Sequence, residues 1–358
     1  FVAAVLMLCW AGMCAAEDAV PPPWRGSAGS TLQDWMFLTN ANPAELDAVS
    51  NSFGVPSAVL APGPHSSGWL NYYPVMGPRI GYWSLGAAGT ITCTLPDAPG
   101  GSQSRRDIWV QVTYFEDITQ APAVEVNGAT RLEFGTQTVE PRPTGGAWKT
   151  DWSRWSIESQ NPNDTVVITS SASWGALVDE VVIDTRAVAL TASVAEAKQL
   201  SDGTPCEITG AVVTRSFGSF FYVEDASRAA GIRVNCASGE VPAAEDTAPV
   251  ITGVIRTIDG ERVIDEAAVE AGGVGHVAPL GMCNRAITTG LSPLGLLVTL
   301  WGRAEVASPD ANEFWLSDGS PQPVRVLLYE ADTPGDGDRV SISGVLGVEA
   351  GAVVLRSG

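Results

Sequence analysis

The sequence predicts an all-β protein: a β-sandwich followed by a duplicated unit of five short strands. Three observations carry this expectation. Apolar and polar residues alternate in short runs, and Gly, Pro, Asn or Asp breaks them about every ten residues, the punctuation of strands and turns rather than helices. Glycine (38) and proline (24) are abundant among 358 residues and charged residues make up only 17%, the balance of a turn-rich folded chain and not of a disordered one. Finally, "SFFYVEDASRAAGIRV" at 219–234 is echoed by "EFWLSDGSPQPVRV" at 313–326.

The chain opens on "FVAAVLMLCWAGMCAAED", an apolar run ending in small residues and followed by acid. Residues 1–16 are expected to be a secretory signal cleaved after Ala16, with the start Met and basic segment missing ahead of Phe1. The run is shorter than the ~20 apolar residues a bilayer span needs, and no later stretch is long enough, so no membrane span is expected in the mature chain. An exported chain places the protein outside the cell, secreted or at the cell surface. Residues 17–31, "EDAVPPPWRGSAGST", have the composition of a linker.

Acidic residues number 18 against 9 basic over 17–186, and 22 against 11 from 187 onward, so both halves are net negative. Nucleic-acid affinity comes largely from Lys and Arg neutralising phosphates. A chain with two lysines, Lys149 and Lys198, is poorly supplied for it, and no nucleic-acid partner is expected.

Four of the six cysteines lie beyond the signal: Cys93, Cys206, Cys236 and Cys283. In "ITCTL", Cys93 alternates with Ile91 and Leu95, which places it on an apolar strand face as a buried thiol. An oxidising compartment permits disulfides, and four cysteines allow three complete pairings. Because Cys206 and Cys236 share one unit, they are the favoured pair; a loop of about thirty residues would add roughly 3–4 kcal/mol on the chain-entropy view.

From 32 to 188 come the runs "SAVLAP", "IGYWSLG", "TITCTL", "IWVQVTYF", "AVEVNG", "WSIES", "TVVITSS" and "ALVDEVVIDT", the spacing of a sandwich. "NPAELDAV" predicts a small helix with Asn42 as cap and Pro43 in its first turn. At 191 the texture changes. "TASVAEAKQLSDG" reads as one short helix, with Ser193 and Glu196 in a capping-box relation and Gly203 as its stop.

The repeat follows. Gly210 matches Gly302 at an offset of 92, Asp225 matches Asp318 at 93, Arg233 matches Arg325 at 92 and Gly253 matches Gly344 at 91. Four anchors so close to one offset make an internal duplication. The copies occupy 191–272 and 286–358, joined by a linker at 273–285. The first copy offers "CEITGAVVTR", "SFFYVED", "GIRVNC", "APVITGVIRT" and "ERVIDEAAV" as strands, the second "LLVTLWGRAEV", "EFWLSDG", "PVRVLLY", "DRVSISGVLG" and "AVVLRSG".

Five strands in this order, a bending glycine in the first, and the turn Gly337-Asp338-x-Val340 before the fourth strand resemble the OB-fold. The first copy has "EDTAPV" at that turn, a departure from the pattern. The resemblance implies two tandem five-stranded OB-like barrels. The Trp-rich N-terminal region closing on "VDEVVIDT" resembles the jelly-roll modules of secreted bacterial surface proteins and carbohydrate-binding modules. The combined expectation is an N-terminal β-sandwich (jelly roll) followed by two OB-like barrels.

Alternation then assigns faces. Phe221, Val223, Ile232 and Val234 point into the first barrel, as Phe314, Leu316, Val324 and Val326 do into the second. Tyr222 with Arg233, and Trp315 with Arg325, point outward. The OB-fold resemblance implies that this is the face that takes oligonucleotides or oligosaccharides, and the acidic charge favours a polysaccharide or cell-surface glycan. Two explanations stand side by side: these aromatics stack a sugar ring, or they pack against a neighbouring domain.

Nine of the twelve tryptophans fall in the sandwich. In "GAWKTDWSRWS", Trp148, Trp152 and Trp155 are read as lying in or beside a loop, able to form a sugar-stacking platform. Asp179, with Glu180 and Asp184, sits on the terminal strand where the jelly-roll resemblance implies a structural Ca²⁺, although one acidic strand supplies too few of the six to eight oxygens calcium wants. No other cofactor is expected. "DTPGDGD" (Asp332, Asp336, Asp338) has neither the spacing nor the bidentate Glu of a calcium loop and reads as a turn.

Catalytic motifs are missing. His65 and His276 stand alone in loops, and no HExxH, CxxC, GxSxG, P-loop or GxGxxG occurs. The expectation is therefore a secreted or cell-surface, non-catalytic binding module for glycan or extracellular matrix. A passive scaffold making protein contacts is the alternative, and a glycoside-active enzyme with unidentified carboxylates the third possibility.

Overall fold

The structure, a computed structural model, describes residues 18–27, 29–72, 79–97, 104–117, 120–142, 145–158, 162–173, 175–237, 245–288, 292–308, 312–329 and 332–358. The expected signal at 1–16 lies outside these residues. The chain is all-β and forms two compact units, Phe1–Ala187 and Val188–Gly358.

The first unit holds β1 (Ser30–Trp35), β2 (Ala48–Ser50), β3 (Ser57–Ala61), β4 (Gly68–Leu70), β5 (Tyr82–Ser84), β6 (Thr90–Pro96), β7 (Ser104–Glu116), β8 (Ala123–Val126), β9 (Thr130–Pro141), β10 (Ala147–Ile157), β11 (Asn163–Thr169) and the start of β12 (Leu177–Thr191). A small sheet runs β3-β6-β11-β8. The larger one runs β9-β10-β7-β12, with β1 and β5 pairing on β12.

Period-two alternation turns Ile91, Cys93 and Leu95 of β6 and Val166 and Ile168 of β11 toward Ile108, Val110 and Val112 of β7, and these residues share one core. Each is fully buried, so this core is the main driving force of the unit at about 25 cal/mol per Å² of apolar surface removed from water. Cys93 lies there as an unpaired thiol, pushed up to about 12 by burial.

Two expectations fail in this unit. Residues 18–31 are not a free linker. Val20 accepts from Trp109 Nε1 at 2.8 Å and donates its N–H to Gln111 Oε1 at 2.8 Å, while Arg25 grips Asp184 through two bonds of 2.6 Å. Trp109 and Gln111 leave β7 on the side away from the core, and this segment satisfies their polar groups. The helix expected at Asn42 does not form, because the Asn42 amide bonds both the N–H and the carbonyl of Leu60.

The second unit opens on α1 (Val194–Ala197), a single turn. Ser193 caps it by accepting from Glu196 N–H at 3.1 Å, while Glu196 Oε2 accepts from the N–H of Ala192, one residue before the cap, at 2.9 Å, so half of the expected capping box forms and its return bond is shifted by one residue. Then come β13 (Pro205–Ile208), β14 (Val212–Phe217), β15 (Phe220–Glu224), β16 (Gly231–Cys236), β17 (Thr247–Ile258), β18 (Glu261–Val274), β19 (Leu280–Gly281), α2 (Asn284–Thr288), β20 (Leu297–Glu305), β21 (Glu313–Ser317), β22 (Val324–Leu328), β23 (Arg339–Glu349) and β24 (Ala352–Ser357).

Strands β20-β21-β22-β24-β23 form one closed five-strand barrel, completed by β23 pairing back on β20. The first copy is paired in the order β14-β15-β16-β18-β17-β13, with its first strand interrupted at 209–211, where Gly210 takes φ +79°. In the second copy the matching Gly302 leaves β20 unbroken; a Cβ there would stand 2.5 Å from Ser317 O, so the close approach of two strands requires glycine.

The duplication is legible in the register. Cys206 pairs with Gly253 as Val298 does with Gly344, and Tyr222 with Arg233 as Trp315 does with Arg325. The closing hairpins match too: Asp259-Gly260 and Ala350-Gly351 both take the two positive φ values of a tight two-residue turn. The expected linker 273–285 ends earlier than predicted, because β19 pairs on β20 and Leu280 and Met282 pack against the second core.

Candidate functional site

Alternation places Phe221 and Val223 in the first core and Phe314 and Leu316 in the second, as expected. The outward residues have different fates in the two copies. Tyr222 is fully buried, among Phe217, Leu297 and Val345. Its hydroxyl donates to Glu261 Oε1 at 3.0 Å, and Glu261 Oε2 accepts from Val348 N–H at 3.2 Å. Glu224 likewise reaches the second copy, accepting from Leu297 N–H at 2.8 Å, and Lys198 Nζ donates to both Gly231 O (2.9 Å) and Leu294 O (3.1 Å). Tyr222 is therefore not a ligand platform: the sheet face it projects from is covered by the second copy, which alternation alone cannot reveal. Arg233 lies 3.9 Å over the Phe220 ring and donates to Asn235 Oδ1 at 2.8 Å, so its guanidinium is engaged within the fold.

Trp315 is different. It is 45% exposed, with Glu305 on one side and Arg325 on the other in the strand register. Arg325 Nε donates to Glu313 Oε2 at 2.9 Å, which holds the guanidinium in place beside the indole. The same outward face carries Trp301, 50% exposed, on β20. An open cleft of about 470 Å³ lies beside it, lined by Arg303, Ser317, Asp318, Arg339 and Ser341. Sequence inspection passed over Trp301, Arg303 and Arg339; the available signal was the outward parity of "WGR" in the first strand of the closed barrel.

The sandwich tryptophans form no platform. All three lie within strand β10, not a loop. Trp155 points into the main core. Trp148 is fully buried between Tyr82 and Phe115, with the Arg79 guanidinium 4.7 Å from its ring. Trp152 stacks on Trp109 at 4.8 Å with the rings 5° from parallel, so a protein ring occupies the face a sugar would need.

Asp179 is committed to the guanidinium of Arg79, and Asp184 to Arg25. Among the described residues, no three His, Cys, Asp or Glu side chains assemble as a metal ligand set. Asp336 and Asp338 accept turn N–H groups from Val306 and Gly335. Cys206 and Cys236 are both free thiols. Cys206 is directed into the first core, where burial pushes it up to about 12, so the predicted disulfide is not formed.

The chain matches no family model, no curated protein and no solved structure.

Two buried carboxylates, Asp97 and Asp164, lie side by side in the sandwich. Burial and the neighbouring Asp164 raise Asp97 to about 7, against the Thr185 hydroxyl, which donates to it and lowers it. Arg106 Nη2 donates to Asp164 Oδ1 at 2.5 Å, and its Nε lies 3.9 Å from Asp97 Oδ2. All three side chains are nearly inaccessible, so the pair has no room for a substrate and serves to tie β6, β7 and β11 together.

Proposed function

We propose that the protein is a non-catalytic, secreted or cell-surface binding module for glycan or extracellular matrix, built as a jelly-roll-like sandwich followed by tandem OB-like barrels. The observation that carries this reading is Trp315, a half-exposed indole beside a guanidinium held by Glu313, on the outer face of strands two and three of the closed barrel. A flat, rigid apolar surface next to fixed polar groups suits the apolar face of a sugar ring, and it costs little side-chain entropy to present. A sugar ring is held by stacking and hydrogen bonds rather than by a broad cationic surface, which suits a chain with 20 basic residues against 40 acidic ones. Secretion, a bacterial origin and a structural Ca²⁺ belong to the same proposal and rest on sequence alone.

A glycan array on the purified chain tests it, with Trp315→Ala printed in parallel. Binding that Trp315→Ala abolishes without lowering the melting temperature is the expected result; an empty array overturns the reading. A structural role is favoured for the first copy by Tyr222, whose burial makes it a contact between the two copies. The duplication accordingly divides labour, one aromatic holding the unit together and the other facing solvent.

A further inference from the structure

Arg303 and Arg339 are cross-strand partners on β20 and β23. Like charges directly opposite one another in an antiparallel pair are destabilising, and this chain has two acidic residues for each basic one, so a carboxylate would be the easy remedy. Arg325, Arg256 and Arg356 in the same unit each meet one. Arg303 and Arg339 are exposed, and among the described residues neither has a hydrogen-bond or ion-pair partner.

The cleft's own acid does not serve them. Asp318 Oδ2 accepts from Asn284 N–H at 2.8 Å and Oδ1 from Ser320 N–H at 2.9 Å, bonds that together hold its carboxyl below the usual range. The open hollow of about 470 Å³ thus presents two guanidinium groups, two serine hydroxyls (Ser317 and Ser341) and the half-exposed Trp301, with the Asp318 carboxylate held to one side by its own hydrogen bonds. Its volume falls within the ~300–1,000 Å³ of small-ligand sites.

We infer that the Trp301–Arg303–Arg339 cleft is a site for an acidic saccharide, with the sugar ring lying against Trp301 and its carboxylate or sulfate between the two arginines. This inference rests on the glycan reading and names its substrate class. A guanidinium fork matches the two oxygens of a carboxylate, and a bound anion removes the repulsion between the arginines. Two arginines supply too few cationic contacts for a polyphosphate, whose affinity depends on many of them, and suffice for a single carboxylate or sulfate of a sugar whose ring gains its contact from Trp301. The cleft lies on strands one, two and four of the closed barrel, on the same outward face as Trp315 and Arg325 but lined by different residues, with Arg303 opposite Ser317 where Trp315 stands opposite Glu305.

Calorimetric titration of the full chain with oligogalacturonate, its neutral galactan counterpart, a sulfated oligosaccharide and an oligothymidylate tests the inference. Oligogalacturonate is expected to bind, to weaken with added salt, and to lose about tenfold or more in affinity in Arg303→Gln or Arg339→Gln, the fold-change of a lost charge-assisted bond. Arg303→Lys, which keeps the charge without the fork, should lose less. The sulfated oligosaccharide binding in its place, with the same dependence on the arginines, supports the same cleft with sulfate as the anion. Both arginines are exposed, so melting temperatures no lower than the wild type's verify that the variants fold. Equal binding of the neutral galactan, lost in Trp315→Ala but untouched by the arginine variants, overturns the inference and leaves the glycan reading standing. No binding of any sugar overturns both, and oligothymidylate binding more tightly than any sugar through the same arginines replaces the saccharide with a nucleic acid.

Discussion

Glu224 gives the second unit a built-in dependence on pH. Its side chain is fully buried; Oε2 accepts from Leu297 N–H at 2.8 Å, and Oε1 has no hydrogen-bond partner among the described residues. Burial, the dominant cause, raises its carboxyl from 4.5 to about 7, opposed by the Leu297 bond and Arg228. The folded state thus holds a proton that the unfolded state has released at the same pH. Between about pH 4.5 and 7 the folded form binds more protons, so stability is full at the acid end and falls as pH rises through that window. At ~1.4 kcal/mol per pH unit the loss amounts to about 3 kcal/mol.

Glu224→Gln is close in shape and, like the protonated acid, neutral at every pH. Its carbonyl oxygen still accepts from Leu297, and its amide leaves about the same unsatisfied donor that the acid proton does. Thermal melts of both proteins at about pH 5 and about pH 8 isolate the effect, since Glu261, whose burial also raises its carboxyl, is common to both. At roughly 2–4 °C per kcal/mol for a unit of this size, the wild type's midpoint should fall by about 6–12 °C more than the variant's between those conditions. The variant should also be the more stable protein at alkaline pH. Equal falls in the two proteins would refute the assignment, because Glu224 would then carry no differential proton.

Three further outcomes follow from the packing. A Cβ on Gly231 would stand 2.1 Å from Gly295 O, backbone against backbone where the two copies meet, so Gly231→Ala should lower the melting temperature by several degrees, about 1–3 kcal/mol of overpacking; Gly273→Ala, which meets nothing within 4 Å, is the control and should melt as the wild type does. Because Cys206 and Cys236 are free, a reducing agent should leave the midpoint unchanged, and a drop of several degrees would reveal a disulfide. Arg106→Met strands Asp97 and Asp164 in the interior and should cost about 3–5 kcal/mol, with a larger loss at alkaline than at acid pH in parallel melts, because protonation of Asp97 relieves the uncompensated charge.

Alternation and turn chemistry made the strands legible in the sequence. The helix cap at Ser193, the buried Cys93 and the inward Phe221 and Phe314 all follow from local rules, and the duplication at 91–93 residues is repeated in the strand register. The candidate site was much less legible, for two physical reasons. Alternation tells which side of a sheet a residue leaves from but not what lies against that side, so Tyr222 and Trp315 looked equivalent although one is buried and the other 45% exposed. Composition also misleads about tryptophan: "GAWKTDWSRWS" has the polar punctuation of a loop, yet it is a central strand whose outward residues are roofed by Trp109, Phe115 and Tyr82.

The unpaired arginines illustrate a third kind of information that sequence hides. Arg325 sits at a repeat anchor, yet it is satisfied by Glu313, whereas Arg303 and Arg339 have no repeat partner and, among the described residues, no carboxylate. In a chain of net charge −20, a solvated arginine is ordinarily surrounded by acids, and a cross-strand arginine pair would be the first position where a substitution to Glu or Gln gained stability. Replacing either residue with glutamine should therefore raise the melting temperature slightly in the absence of ligand, by about 0.2–1 kcal/mol. A site built for binding retains that local cost. A fall in the melting temperature on the same replacement would show that the arginines stabilise the barrel themselves, which would remove the physical reason for an anion between them.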